Sequence, residues 1–117
     1  PSTDEYVKAG GRLDTVPVID IDTLKSMMSE SDVQLVDLRG AAEYRSGHIQ
    51  GADHVFVGTL PANLDKVKRD GKVVVFCQGG DRAAIGYSLL AREGYTNLFN
   101  YSASMNEWVN KGNPVIS

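Results

Sequence analysis

The chain holds one cysteine, Cys77, and therefore no internal disulfide; with only two histidines, His48 and His54, it also lacks a credible ligand set for a metal ion. Neither a metal nor a cofactor is expected. It has no run of the roughly eighteen apolar residues that a membrane span requires, and no charged-then-apolar leader pattern, so no membrane association is expected and the cytoplasm is the default location. Basic charge is also scarce. Twelve Lys and Arg stand against fifteen Asp and Glu, giving a net charge of −3, and the basic residues are scattered rather than clustered. No surface is available to displace counterions from phosphates, which excludes nucleic acid as an expected partner. Internal repeats and low-complexity tracts are absent as well.

What is present suits a single folded unit of 117 residues, 42% of them hydrophobic, enough to bury a core without disulfides. Residues 1–16 contain the polar, glycine-bearing segment "PSTDEYVKAGGRLDT" and read as linker-like, which carries the expectation of a domain cut from a longer protein. Residues 17–117 form the domain. From Pro17 onward short apolar runs alternate with helical patterns, the signature of βα units around a parallel sheet. Asp22 is a good N-cap for a helix carrying Leu24, Met27 and Met28; Gln34–Leu38 reads as a strand, Ala41–Ser46 as a short helix stopped by Gly47, and Asp53–Val57 as a weaker strand. Leu60, Leu64 and Val67 space out a further helix. Lys72–Phe76, with four apolar residues in a row, three of them β-branched, suits a central strand covered on both faces. Ala83–Glu93 reads as a largely buried helix bearing Ile85, Tyr87, Leu89 and Leu90, Asn97–Tyr101 as a last strand, and Met105–Lys111 as a closing helix with Trp108 as its core anchor.

The sole cysteine follows the central strand in "Cys77-Gln78-Gly79-Gly80-Asp81-Arg82". The carboxyl end of a parallel strand is where open α/β folds bind ligands. Gly79 and Gly80 let successive backbone N–H groups converge as an anion-binding nest, and the start of the following helix adds partial positive charge that favours a thiolate. Each residue also has a plain structural reading. Cys77 can be an inert small hydrophobe, Gly79 and Gly80 a tight turn, Asp81 a solvated helix-start acid and Arg82 a surface charge; spacing alone leaves both readings of Cys77 open. Four residues separate Cys77 from Arg82. Cysteine phosphatases use a five-residue spacing that wraps a tetrahedral phosphate, so this shorter ring fits a single added atom such as the outer sulfur of a persulfide.

Those residues carry a resemblance. The segment from about Pro17 to Ile116 is similar to the rhodanese family of sulfurtransferases: Cys77, Gly80 and Arg82 match its C-x-x-G-x-R loop. A second motif agrees. "Leu35-Val36-Asp37-Leu38-Arg39", followed by "Glu43-Tyr44-Arg45-Ser46-Gly47-His48-Ile49-Gln50-Gly51-Ala52", resembles the family's upstream strand and E-(Y/F)-x-x-G-H-I-x-G-A signature. The resemblance implies an α/β, rhodanese-like open parallel sheet of about five strands with helices on both faces. It further implies a ping-pong reaction in which Cys77 takes sulfane sulfur as a persulfide and passes it to a thiol or other nucleophile. Residues Gln78 to Arg82 would hold the persulfide, with Asp37 and Arg39 bracing the loop.

The implied partners are a small sulfane-sulfur donor, thiosulfate or a low-molecular-weight persulfide, and a thiol acceptor; a fused or partner enzyme of sulfur metabolism is a further expectation. His48 is expected to tie its turn by a hydrogen bond rather than to act in the chemistry, and His54 has less support still. The chain departs from the family at Gln78, where many members carry a basic residue, at Asp81, which adds negative charge, and at Ala103-Ser104, where glycines are common. The alternative reading is a non-catalytic rhodanese-like interaction module, and phosphatase or arsenate-reductase chemistry is poorly served by the short loop.

Overall fold

A computed structural model describes residues 18–117. The linker-like segment 1–16, and Pro17, lie outside the described residues. In chain order the elements are α1 (Ile21–Met28), β1 (Val33–Asp37), α2 (Ala41–Ser46), β2 (Asp53–His54), a 3-10 segment (Val57–Lys66), β3 (Lys72–Phe76), α3 (Asp81–Arg92), β4 (Leu98–Asn100) and α4 (Ser104–Asn110). All strand pairings are parallel, in the order β2-β1-β3-β4, with β1 and β3 in register from Val33 opposite Lys72 to Asp37 opposite Phe76. Every carboxyl end therefore opens on the same edge of the sheet.

Side-chain alternation along β3 divides the core into two. Val73, Val75 and then Cys77 face a cluster with Leu60, Val67, Ala83 and Leu90, from the 3-10 segment and α3. Val74 and Phe76 face Leu24, Met27, Met105 and Trp108, from α1 and α4. Helices thus cover both faces, as expected. The sheet has four strands among the described residues rather than about five: Val18 makes one parallel bridge to Asn100 and Ile19 N–H donates to Asn100 O at 3.0 Å. Asp20 then caps α1 by accepting Thr23 N–H at 2.8 Å, so the chain turns into helix after a single bridge. The cap is accordingly Asp20, not Asp22.

Three further expectations shift. The segment after β2 is a 3-10 helix: Pro61 lies inside it, and Asn63 leaves helical geometry while its side chain donates to Thr59 O at 2.9 Å, competing for the carbonyl an α-helix would use. The regular pairing of β2 ends at His54, although Val55 N–H and Val57 N–H still donate to Asp37 O and Leu38 O at 3.0 and 3.1 Å. Helix α3 buries only Ala83, Gly86 and Leu90, and Ile85 is 60% exposed, because contact with one sheet face covers one stripe of a helix and no more. It also begins two residues earlier than expected, which brings Asp81 and Arg82 into its first turn. Among the described residues no helix is long and apolar enough to cross a membrane.

Candidate active site

Cys77 follows β3 directly, at the edge where the parallel strands end, and is 1% exposed. Its backbone is fixed from the opposite face by the turn into α4. Cys77 N–H donates to Ser104 Oγ at 3.0 Å, Met105 N–H donates to Cys77 O at 3.0 Å, and Asn106 N–H donates to Gln78 O at 3.0 Å. With the strand and the turn both holding it, the main chain of Cys77 has little freedom.

The loop then bends back over the sulfur. Gly80 takes φ 108°, and a Cβ there would lie 2.5 Å from Ser102 O, so the position excludes any side chain. That conformation aims Gly80 N–H at Cys77 Sγ, 3.0 Å away. The N–H groups of Asp81, Arg82 and Ala83 open α3 and have no acceptor within the helix, as at any helix start. Burial gives these dipoles weight: in a low-dielectric setting a partial positive charge on sulfur acts far more strongly than it would in water.

Arg39 braces the loop from the end of β1. Its Nε and one terminal nitrogen grip the Asp37 carboxylate at 2.8–3.1 Å, that same terminal nitrogen donates to Gly47 O at 2.8 Å, and the other donates to Gln78 Oε1 at 3.2 Å. Both ions of this pair are buried, at 3% and 0%. Gln78 continues the chain by donating from Nε2 to Asn106 Oδ1 at 2.7 Å. The residue after the cysteine is thus a neutral bridge from β1 to α4.

Arg82 meets Glu43 of α2 through two bonds, 2.6 and 2.9 Å. That guanidinium holds the Glu43 carboxyl down to about 2, opposed by partial burial and assisted by Gly40 N–H, which donates to Glu43 Oε1 at 2.9 Å. Asp81 is exposed at the start of α3, where the helix dipole favours an acid. Gly79 is exposed, and a Cβ on it would come 3.4 Å from Asn106 Nδ2. Of the sequence-predicted set, the structure brings Cys77, Gln78, Gly80, Asp37 and Arg39 into one connected group. Arg82 joins it through the helix start, through Glu43 and through its guanidinium, which also faces the Cys77 side chain.

The histidines serve the turn between α2 and β2. His48 Nδ1 lies 2.8 Å from Tyr44 O and His54 Nε2 lies 2.7 Å from Arg39 O, while both imidazoles stack on the Tyr44 ring with centroids 3.8 and 4.7 Å away. Trp108 is 3% exposed and its indole N–H donates to Pro114 O at 2.8 Å. Three contributors come from the structure rather than the sequence pattern: Glu43, which the sequence places in α2 and in the upstream signature without a partner; Ser104, which reads there only as a departure from the family; and Asn106, for which the sequence holds no signal.

The Rhodanese-like domain family matches the chain over residues 20–111, and the chain belongs to that family. A sulfurtransferase of Allochromatium vinosum is 28% identical over 100 residues, covering 85% of this chain and 94% of the relative. The human thiosulfate:glutathione sulfurtransferase is 29% identical over 109 residues, covering 81% and 95%. Some relatives are larger: the chain spans 27% of the tRNA uridine(34) hydroxylase of Yersinia enterocolitica and about half, 53%, of a Bacillus subtilis relative. Among solved structures, a rhodanese-like domain protein from Staphylococcus aureus superposes with a TM-score of 0.76 at 30% identity, covering 87% of this chain and 100% of that one. The family includes sulfurtransferases, and the fold is theirs.

Proposed function

We propose that the protein is a sulfurtransferase that carries sulfane sulfur as a persulfide on Cys77 and hands it to a thiol or other nucleophile. The observation that carries this reading is the Gly80 N–H aimed at Cys77 Sγ from 3.0 Å, in a loop whose glycine geometry admits no side chain. A structural cysteine has no need of a donor directed at its sulfur. The loop amides from Gln78 to Arg82 would hold the outer sulfur, as an oxyanion hole holds its charge. With one cysteine in the chain, the sulfur leaves to an outside nucleophile.

Charge around the site supports a low-molecular-weight thiol persulfide as donor in preference to thiosulfate. Arg39 is paired with Asp37 and Arg82 with Glu43, while Asp81 adds an exposed negative charge. A dianion approaching the loop therefore meets cations that are already neutralised. The glutathione named for the human relative is the kind of thiol this reading calls for.

Intact-mass spectrometry after exposure to a panel of donors tests the proposal: the wild type gains the mass of one sulfur, and Cys77→Ser gains none. A serine variant that still forms thiocyanate from donor and cyanide at the wild-type rate overturns it. The reading as a binding module without turnover draws on the near-complete burial of Cys77. It prevails if no donor adds sulfur mass to the wild type.

A further inference from the structure

Ser104 alone among the described residues takes a positive φ without being glycine, at 59°. Glycine enters this left-handed region freely, whereas serine enters it at a cost. The residue is also fully buried, so its hydroxyl must find partners inside the protein. It has three neighbours. It accepts Cys77 N–H at 3.0 Å, donates to Tyr101 O at 3.0 Å, and lies 4.0 Å from Cys77 Sγ.

A hydroxyl carries one proton and two lone pairs. With the Cys77 N–H occupying a lone pair, the proton has two possible acceptors, the Tyr101 carbonyl and the sulfur. Beside a neutral thiol the carbonyl is both nearer and the better acceptor. Once negative charge collects on Sγ the preference reverses as the 4.0 Å gap contracts to hydrogen-bond length, because a bond to an ionised acceptor is roughly twice as strong as a neutral one.

We infer that Ser104 positions Cys77 through its main-chain N–H and turns its own proton onto Sγ whenever that sulfur is ionised. The inference rests on the persulfide reading of the site. In loading, Cys77 thiolate attacks the outer sulfur of a donor persulfide; the Sγ–S bond forms, the donor's S–S bond breaks, and its electron pair leaves with the donor thiolate. In discharge, an acceptor thiolate attacks the outer sulfur; a new S–S bond forms on the acceptor, the Sγ–S bond breaks, and its electron pair returns to Sγ. Ser104 and the Gly80 N–H meet the charge on the inner sulfur in both steps, and the remaining loop amides meet the outer one. As a stabiliser of the leaving sulfur, Ser104 counts most in discharge.

Two variants separate this role from a structural one. Ser104→Gly removes the hydroxyl and suits φ 59°, so relief of backbone strain offsets the loss of the acceptor for the buried Cys77 N–H; Ser104→Ala removes the hydroxyl and keeps the Cβ and its strain. The pH profile of Cys77 alkylation by iodoacetamide is measured for each, followed by single-turnover discharge of the loaded protein to glutathione. The charged groups around Cys77, namely Arg82 with Glu43, Arg39 with Asp37, Asp81, and Glu107 bonded to the Tyr101 hydroxyl, are the same in all three proteins.

Both variants are expected to shift the alkylation midpoint to higher pH and to discharge sulfur roughly tenfold more slowly, with a smaller effect on loading. An alkylation profile and a discharge rate for Ser104→Gly that match the wild type overturn the inference, whatever happens to melting temperature. Alkylation needs no sulfur donor, so a wild type that never loads sulfur fails the persulfide reading by a separate measurement.

Discussion

Glu43 and Arg82, 39 positions apart in the chain, are joined by two charge-assisted hydrogen bonds of 2.6 and 2.9 Å. The pair ties α2, which follows β1, to the first turn of α3, which follows β3. Two helices that leave the same edge of the sheet are thereby held together beside Cys77, and the cation in the first turn of α3 is paired with a carboxylate.

Because the Glu43 carboxyl is lowered to about 2, against about 4.3 in an unfolded chain, its contribution to stability is present above the unfolded value and is lost as pH falls from there toward about 2. Glu43 is 38% exposed, so solvent screening limits that contribution to about 1 kcal/mol or less. Glu43→Gln is expected to lower the unfolding free energy by that amount at pH 7, with the difference closing near pH 2. Urea titrations at pH 7, 4 and 2.5 check it, and a gap that widened in acid would contradict the assignment.

Arg39→Ala leaves the Asp37 carboxylate buried without its partner and cuts the tie to Gln78 and Gly47. A loss of roughly 3–5 kcal/mol is expected, as for other broken buried pairs. Denaturant unfolding of the variant provides the number; a loss below about 1 kcal/mol would show that the pair does not brace the loop.

Gly80→Ala places a methyl 2.5 Å from the Ser102 carbonyl at φ 108°, whereas Gly51→Ala, at φ 88°, meets nothing within 4 Å. The Gly51 variant carries only the backbone cost of roughly 1–2 kcal/mol. The Gly80 variant must also move the N–H that points at Sγ, and its sulfur transfer is expected to fall by at least about tenfold, equivalent to about 1.4 kcal/mol of barrier. Paired assays of the two variants, normalised for folded protein, decide whether the loop geometry or mere strain is responsible.

Gln78→Arg replaces a neutral bridge with a cation while leaving Cys77 in place. The kcat/KM for thiosulfate is expected to rise roughly tenfold at low ionic strength and to fall back with added salt, since the gain is electrostatic. Values for a neutral acceptor should move little. Equal donor preference in the variant and the wild type would remove Gln78 from the determinants of donor choice.

The sequence made the strands and the cysteine loop legible for the same reason: both are local. Val73–Phe76 announces a doubly covered strand by composition, and Gly79-Gly80 announces a bend by lacking side chains. The motif spacing also pointed to Asp37 and Arg39 through resemblance. What stayed hidden was set by tertiary contact. Glu43 looks like any helix-start acid until α2 and α3 are brought together, and Asn106 becomes relevant only because α4 docks on Gln78. The 3-10 segment escaped because Leu60 and Val67 are buried just as an α-helix would bury them, while Pro61 and the Asn63 side chain redirect the backbone between them. Asp20 displaced Asp22 as cap because the single bridge at Val18 fixes where the chain leaves the sheet.

Trp108 is the one indole in the chain, and it rides on the helix whose first turn is bonded to the carbonyls of Cys77 and Gln78. Its ring is packed away from water and its N–H is committed to Pro114. The protein consequently contains a built-in fluorophore, three residues along α4 from the Met105 N–H that bonds the Cys77 carbonyl, and free of competing emitters of its kind. A displacement of the loop that carried α4 with it would register in the wavelength and lifetime of that single emission, with no label attached.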